Sequence, residues 1–368
     1  ANNTSVGAYS LDANTTGASN VAVGYAALSA NTTADYNVAV GASALAATTT
    51  GSENTAMGIS ALAANTTGTV NVAVGTSSLD ANTTGNNNVA VGGSALGVNT
   101  TGDSNVAVGQ GALDASTTGS NNTAVGLGSL TASTTADSST AVGYHALGNA
   151  TTGNSNNAVG YYALLGVTTG IENTGIGQSA GSNITTGSYN TMIGADTQIT
   201  SATTNNANAL GFGVTSETGY TTVGITTSDI RAQHGVATWA TVSDERVKKD
   251  IEDSTVGLNF INDLRPVTFN YRNKGDLPKE FKAYEEGSTE VYKSEKSQHG
   301  FIAQEVKAAI DKHSDIKDGF SMWDDDDATG QQRVGETALI PMITKAVQEL
   351  SAEVEALKAQ PKCKCKGE

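Results

Sequence analysis

Residues 20–41 read NVAVGYAALSANTTADYNVAVG, a segment that closes on the five residues with which it opens. The interval is 17 residues, and the closing glycine keeps that interval without a slip from Gly7 through Gly24 and Gly41 to Gly211. Such phasing means one supersecondary unit stacked on itself, because an insertion would break the stacking that buries each unit's apolar face. Val21 and Val23 alternate with alanine, as do Val38 and Val40, and this two-residue period sets both valines on one face of a short strand. The leucine four residues past each glycine, as at Leu28 and Leu45, is expected as a second inward anchor beside them. The T-T-G stretch turns the other corner, and positive φ is expected at Gly17, Ala34, Gly51 and Gly68. Two strands and two corners per coil describe a parallel β-solenoid, or β-roll, of 17-residue repeats over residues 1–211. At about 4.8 Å per strand, its twelve coils span roughly 60 Å.

Asparagine stands just before the valine strand in nearly every coil, as at Asn20, Asn37, Asn54 and Asn105, with Ser139 in its place once. Stacked in register, these amides are expected to form a hydrogen-bonded ladder of structural value. The N-T-T sequons at Asn14, Asn31 and Asn65 read as by-products of the repeat. Of 20 Lys and Arg, the first is Arg231, so the repeats hold acids and no base within a net charge of −16. That balance argues against a nucleic-acid partner, which needs a basic surface. No apolar run is long enough to cross a membrane, and no signal peptide is visible. The chain opens inside a repeat and is expected to belong to a longer fibre.

After Gly211 the period fails, with the next comparable glycine, Gly224, only 13 residues on. Residues 212–243 read as a β-rich neck in which Trp239 caps the solenoid. Residues 244–368 are charged and mixed α/β. Leu258, Ile261 and Leu264 mark a short helix stopped by Pro266, and Val267, Phe269 and Tyr271 alternate as a strand. Residues 272–298 form a polar insertion, and HGFIAQEVKAAI at 299–310 runs into a helix. Ile340, Ile343, Val347, Leu350, Val354 and Leu357 follow 3-4-3-4-3 spacing, a coiled-coil seam within residues 336–359 that implies self-association.

Two resemblances add to these readings. The NVAVG strand is similar to the N-S-V-A-I-G repeat of trimeric autotransporter adhesin heads, which implies three parallel chains. SDERVKKDIEDSTVGLNFINDLRPVTFNY, HGFIAQEV and ETALIPMITKAVQELSAEVEAL resemble, in order and spacing, the intramolecular chaperone auto-processing domain of endosialidase tailspikes and phage tail fibres. That resemblance implies a domain that trimerises, guides folding of the fibre ahead of it and is released by self-cleavage. The scissile bond would lie next to Ser243 and Asp244, with Ser243 and Lys248 as the catalytic dyad. Serine attacks only when a base takes its proton, and lysine serves once burial or a neighbouring cation, here Arg246 or Lys249, lowers its pKa. Attack on the preceding carbonyl and attack from another protomer both stay open.

The implied protein is a homotrimer in a virion tail fibre, assembled in the bacterial host cytoplasm, joined to the rest of the fibre or baseplate, and meeting a host glycan or protein receptor. Its enzymology is at most a single-turnover serine-type self-cleavage without cofactor or metal. Tyr25, Tyr36, Tyr144, Tyr161 and Tyr162 are the aromatics suited to stacking on sugar. Asp12, Asp35 and Glu53 decorate corners without forming a paired-carboxylate glycosidase site. Asp324 to Asp327 form a solvated acidic loop rather than a calcium site, and Cys363 and Cys365 a reduced tail. A non-viral adhesin, or a repeat protein whose threonine pairs bind ice, is the alternative. Adjacent threonines on a strand, however, point to opposite faces.

Overall fold

A computed structural model describes residues 2–226, 228–236, 240, 241, 243, 245–281, 283–316, 322–325 and 332–359. Trp239, Asp244, Asp326, Asp327, Cys363 and Cys365 lie outside the described residues. The chain divides into two compact units, Ala1–Asp244 and Glu245–Glu368.

The first unit is the parallel solenoid that the 17-residue period predicts. Twelve three-residue strands, from β1 (Thr4–Val6) and β2 (Val21–Val23) to β12 (Thr191–Ile193), each pair in parallel with the next. The register offset is one repeat, so Val21 faces Val38 and Ala22 faces Ala39. Only one of the two expected strands forms in the regular coils. The rest of each coil is a succession of turns in which ten leucines, Leu28 (φ 49°) among them, take left-handed backbone. That conformation is costly for a residue with a Cβ and persists here because each of these side chains from Leu28 to Leu164 is fully buried. A second short sheet appears only at the end, where β13 (Gln198–Ile199) pairs with β15 (Thr215–Ser216). Between and beyond these strands, β14 (Asn208–Phe212) pairs in parallel with β16 (Tyr220–Ile225), matching Gly211 to Gly224 across a coil shortened to 13 residues. The antiparallel strands β17 (Ser228–Gln233) and β18 (Ala240–Thr241) then end the parallel stacking.

The strand face is the reverse of the expected one. Ala22, Ala39, Ala73 and Ala90 are fully buried, while the flanking valines lie outside. The cross-section explains the inversion: the leucine, a second alanine such as Ala27 and the asparagines already fill the narrow coil interior. Positive φ also falls elsewhere than expected. The phased glycines carry it, as at Gly24 (φ +140°), where a Cβ would stand 2.5 Å from the Gly41 carbonyl oxygen. At the T-T-G corner the requirement is space alone: a Cβ on Gly17 would lie 2.5 Å from both the Ala34 carbonyl oxygen and Asn14 Oδ1.

The second unit contains α1 (Leu258–Asp263), the antiparallel pair β19 (Val267–Phe269) and β20 (Gln298–Gly300), and α2 (Ala303–Lys312). The antiparallel pair β21 (Trp323–Asp325) and β22 (Gln332–Val334) follows, and then α3 (Ile340–Ala359). Val256, Phe260, Val306, Ala309, Ile310, Met322 and Leu339 form its core.

Candidate functional site

Three columns of polar side chains fasten coil to coil. In the first, the carboxamide oxygen of each asparagine accepts the backbone N–H of its counterpart 17 residues on, as from Asn37 N to Asn20 Oδ1 at 2.9 Å. Its Nδ2 donates to a carbonyl 14 residues on, as from Asn37 to Gly51 at 2.9 Å. The ladder therefore runs chiefly through the backbone, with amide-to-amide bonds such as Asn54 Nδ2 to Asn37 Oδ1 (3.2 Å) added in some coils. The second column consists of the N-T-T asparagines: Asn31 Nδ2 donates to Asn14 Oδ1 at 2.8 Å and Asn82 Nδ2 to Asn65 Oδ1 at 3.0 Å. Asn31 and Asn65 are fully buried, which removes them as glycan acceptors. Where this column changes to Thr48 and Ser116, Asn31 Oδ1 and Asn99 Oδ1 are left without a partner among the described residues. The third column corrects the reading of Asp35 as decoration. Asp35 Oδ1 accepts Ala18 N–H at 2.6 Å, and Asp103 and Asp137 serve Asn86 and Ser120 alike.

The threonine pairs divide in function. The first of each pair hydrogen-bonds the next coil, as from Thr66 Oγ1 to the Thr83 carbonyl at 3.0 Å, while the second, such as Thr67, is exposed in single file. The tyrosines engage one another: the Tyr144 and Tyr161 rings stack at 5.3 Å and 10°, and Tyr162 lies 4.1 Å from Tyr161. A hydrogen bond with Tyr161 raises the Tyr162 phenol above its ordinary pKa. Tyr25 pairs edge-on with Tyr9, and Tyr36 is exposed.

On the outer face of the solenoid, one feature of the coils matters most. The residue before each of the thirteen phased glycines is apolar, from Val6 through Met57, Val91 and Val159 to Leu210. These side chains point outward and are 58, 46, 37, 42 and 47 % exposed. No acid stands on this column. The acids occupy the corners, at positions such as Asp12, Asp80 and Asp114 or Asp35, Asp103 and Asp137.

In the second unit, the six seam residues Ile340, Ile343, Val347, Leu350, Val354 and Leu357 are all exposed, at 62, 47, 60, 50, 40 and 65 %. The opposite side of α3 buries Ala346 and packs Met342 on the core. From that side Glu349 Oε2 accepts the Leu258 N–H at 2.7 Å, at the start of α1. Thr255 Oγ1 donates to Asp315 Oδ2 at 2.5 Å. Arg265 grips Glu305 through Nε (2.9 Å) and Nη2 (2.5 Å), and His313 Nε2 meets Asp263 Oδ2 at 2.9 Å. Those partners hold the carboxyls below their usual range: His313 for Asp263, Arg265 for Glu305 and Thr255 for Asp315. His299 Nδ1 lies 3.1 Å from Thr268 Oγ1, across the β19–β20 pair.

The boundary between the two units falls between the expected dyad members. Ser243 is exposed at the end of the first, and Lys248 is exposed in the second. Lys248 follows a 3-10 turn at Glu245–Val247, its N–H donating to the Glu245 carbonyl at 3.0 Å. No group of His, Cys, Asp and Glu side chains that could hold a metal ion occurs among the described residues.

Residues 243–315 match the family model described as Chaperone of endosialidase, Peptidase_S74. The C-terminal unit thus carries a chaperone domain of that type, and the match begins at Ser243. No curated protein and no solved structure was found to match the chain.

Proposed function

We propose that this chain is the distal part of a trimeric tail fibre, a solenoid rod whose C-terminal unit aligns three copies, guides their folding and then detaches by one cut beside Ser243. The observation that carries the reading is the chaperone-family match placed directly behind a 17-residue-repeat solenoid. Two apolar strips without a partner among the described residues support self-association, and the number three rests on the resemblance. One is the α3 seam, and the other is the charge-free column before the phased glycines. Burying either strip removes apolar area from water, and the column's coil-spaced period is matched by another copy of the same rod. Three chains out of register would leave apolar edges open, so an element that sets register first has a clear use.

For the cut, Ser243 Oγ attacks a backbone carbonyl carbon beside it while Lys248 takes the hydroxyl proton. The Oγ–C bond forms as the peptide C–N bond breaks, the amine leaves protonated, and water hydrolyses the ester. Assembly of the dyad only in the folded trimer would make the cut a report of successful folding. The fibre would sit on the virion, with its solenoid sides and neck meeting a host glycan or protein. Native mass spectrometry of the full chain tests the assembly: a monomer at working concentration under all folding conditions would sink the reading.

A further inference from the structure

We infer that Glu349 is a positioning residue through which α3 sets the segment that carries Lys248. Its consequence for cleavage rests on the self-processing reading above, whereas its effect on the segment is measured without any cleavage. The residue before α1, Gly257, provides no side-chain cap. Its place is taken from 91 positions away, by the Glu349 carboxylate on the Leu258 N–H at 2.7 Å. A charge-assisted bond of this kind is shorter and stronger than a neutral one. The surroundings are fitted to it, since a Cβ on residue 257 would lie 2.5 Å from that same Oε2.

Three stitches then fix the chain just ahead of α1: Thr255 on Asp315, Val256 in the core at 6 % exposure, and Leu258 on Glu349. Asp253 and Ser254 line a cleft of about 500 Å³ with Ile340, Thr344 and Gln348, so this segment lies along the first turns of α3. Only residues 249–252 separate it from Lys248. Within α3, Glu349 stands between Val347 and Leu350 in sequence and on the other side of the helix from their exposed seam. Partners that cover the seam immobilise α3, and Glu349 carries that constraint to the Lys248 segment.

The test uses the full chain as wild type, Glu349→Ala, Glu349→Gln and Gly257→Ala. Native mass spectrometry gives the oligomer, hydrogen–deuterium exchange gives protection of residues 245–258, and a time course gives the C-terminal fragment. We expect Glu349→Ala and Gly257→Ala to stay trimeric, to exchange at least tenfold faster over 245–258 and to cut at least tenfold slower. Glu349→Gln, whose side-chain oxygen still accepts the N–H, should recover most of both. Unchanged exchange in Glu349→Ala overturns the inference, as does a Glu349→Ala trimer cut at the wild-type rate. Loss of the trimer in both Glu349→Ala and Gly257→Ala also overturns it, because Glu349 would then serve folding alone. If the wild type itself is never cut, the self-processing reading fails, and the exchange data alone still decide whether Glu349 positions the segment.

Discussion

Ala90 and Val91 are neighbours on one strand, and their environments are opposite: Ala90 is fully buried and Val91 is 37 % exposed. Ala90→Val must force two extra carbons into a filled coil, which costs about 1–3 kcal/mol and should lower the denaturation midpoint. Val91→Thr should leave the coil's own stability within about 0.5 kcal/mol while weakening assembly. An inward valine face would reverse both outcomes. The second asparagine column offers a gain instead. Thr48 breaks it, leaving Asn31 Oδ1 unpaired and giving Asn65 Nδ2 only a 3.5 Å contact with Thr48 Oγ1. Thr48→Asn supplies a donor to Asn31 and an acceptor to Asn65 at nearly unchanged volume. A stabilisation of about 1–2 kcal/mol is expected, read as a raised unfolding midpoint, and a lowered midpoint would refute the column's energetic role.

Among the described residues every α-helix lies in the C-terminal unit, so helical circular dichroism of the full chain reports that unit alone. Asp263, Glu305 and Asp315 are held below their ordinary pKa by His313, Arg265 and Thr255. A carboxyl depressed in the folded state contributes stability above its unfolded pKa, near 4, and loses it as pH falls through the folded value. The helical signal should therefore melt more easily as pH drops below about 4, and Asp263→Asn should flatten part of that slope. A melting midpoint independent of pH from 6 to 3 would contradict the assignment. These pairings were not legible in the sequence, because Asp263 and His313 are 50 residues apart and Leu258 and Glu349 are 91 apart. What was legible is what repeats or is local: the 17-residue coil, the helix ended near Pro266 and the long final helix α3. The strand face was misread because hydrophobic alternation records polarity and leaves out the volume available inside a coil. The N-T-T asparagines read as by-products of the repeat because a sequon and a ladder share the same letters, and the letters do not show that their amides bond from coil to coil. Ser243 and Lys248 stood out only through a resemblance, as a serine and a lysine five residues apart carry little signal by themselves.

At the scale of the whole molecule, the proposed function gives the two units separate tasks, stability to the solenoid and assembly to the C-terminal unit. The solenoid is held coil by coil within one chain, yet its apolar column is exposed at Val6, Met57, Val91, Val108, Val159, Ile176, Ile193 and Leu210 and half-buried between them. Production of residues 1–243 alone should therefore give insoluble or monomeric rods, whereas soluble trimers would refute the chaperone role. The seam and the dyad can then be separated in the full chain. Ser243→Ala and Lys248→Ala remove chemistry only and should form trimers that never release the C-terminal fragment of about 125 residues. Val347→Asp and Leu350→Asp place charge at the exposed seam, where desolvating an unpaired carboxylate costs several kcal/mol, and should lose trimer and cut together. Fragment mass and oligomeric state measured side by side give each hypothesis its own failure. A Lys248→Ala protein cut at the wild-type rate removes the dyad and leaves the chaperone. A Val347→Asp monomer that is still cut separates cleavage from assembly, and the cut would then report the folding of a single chain.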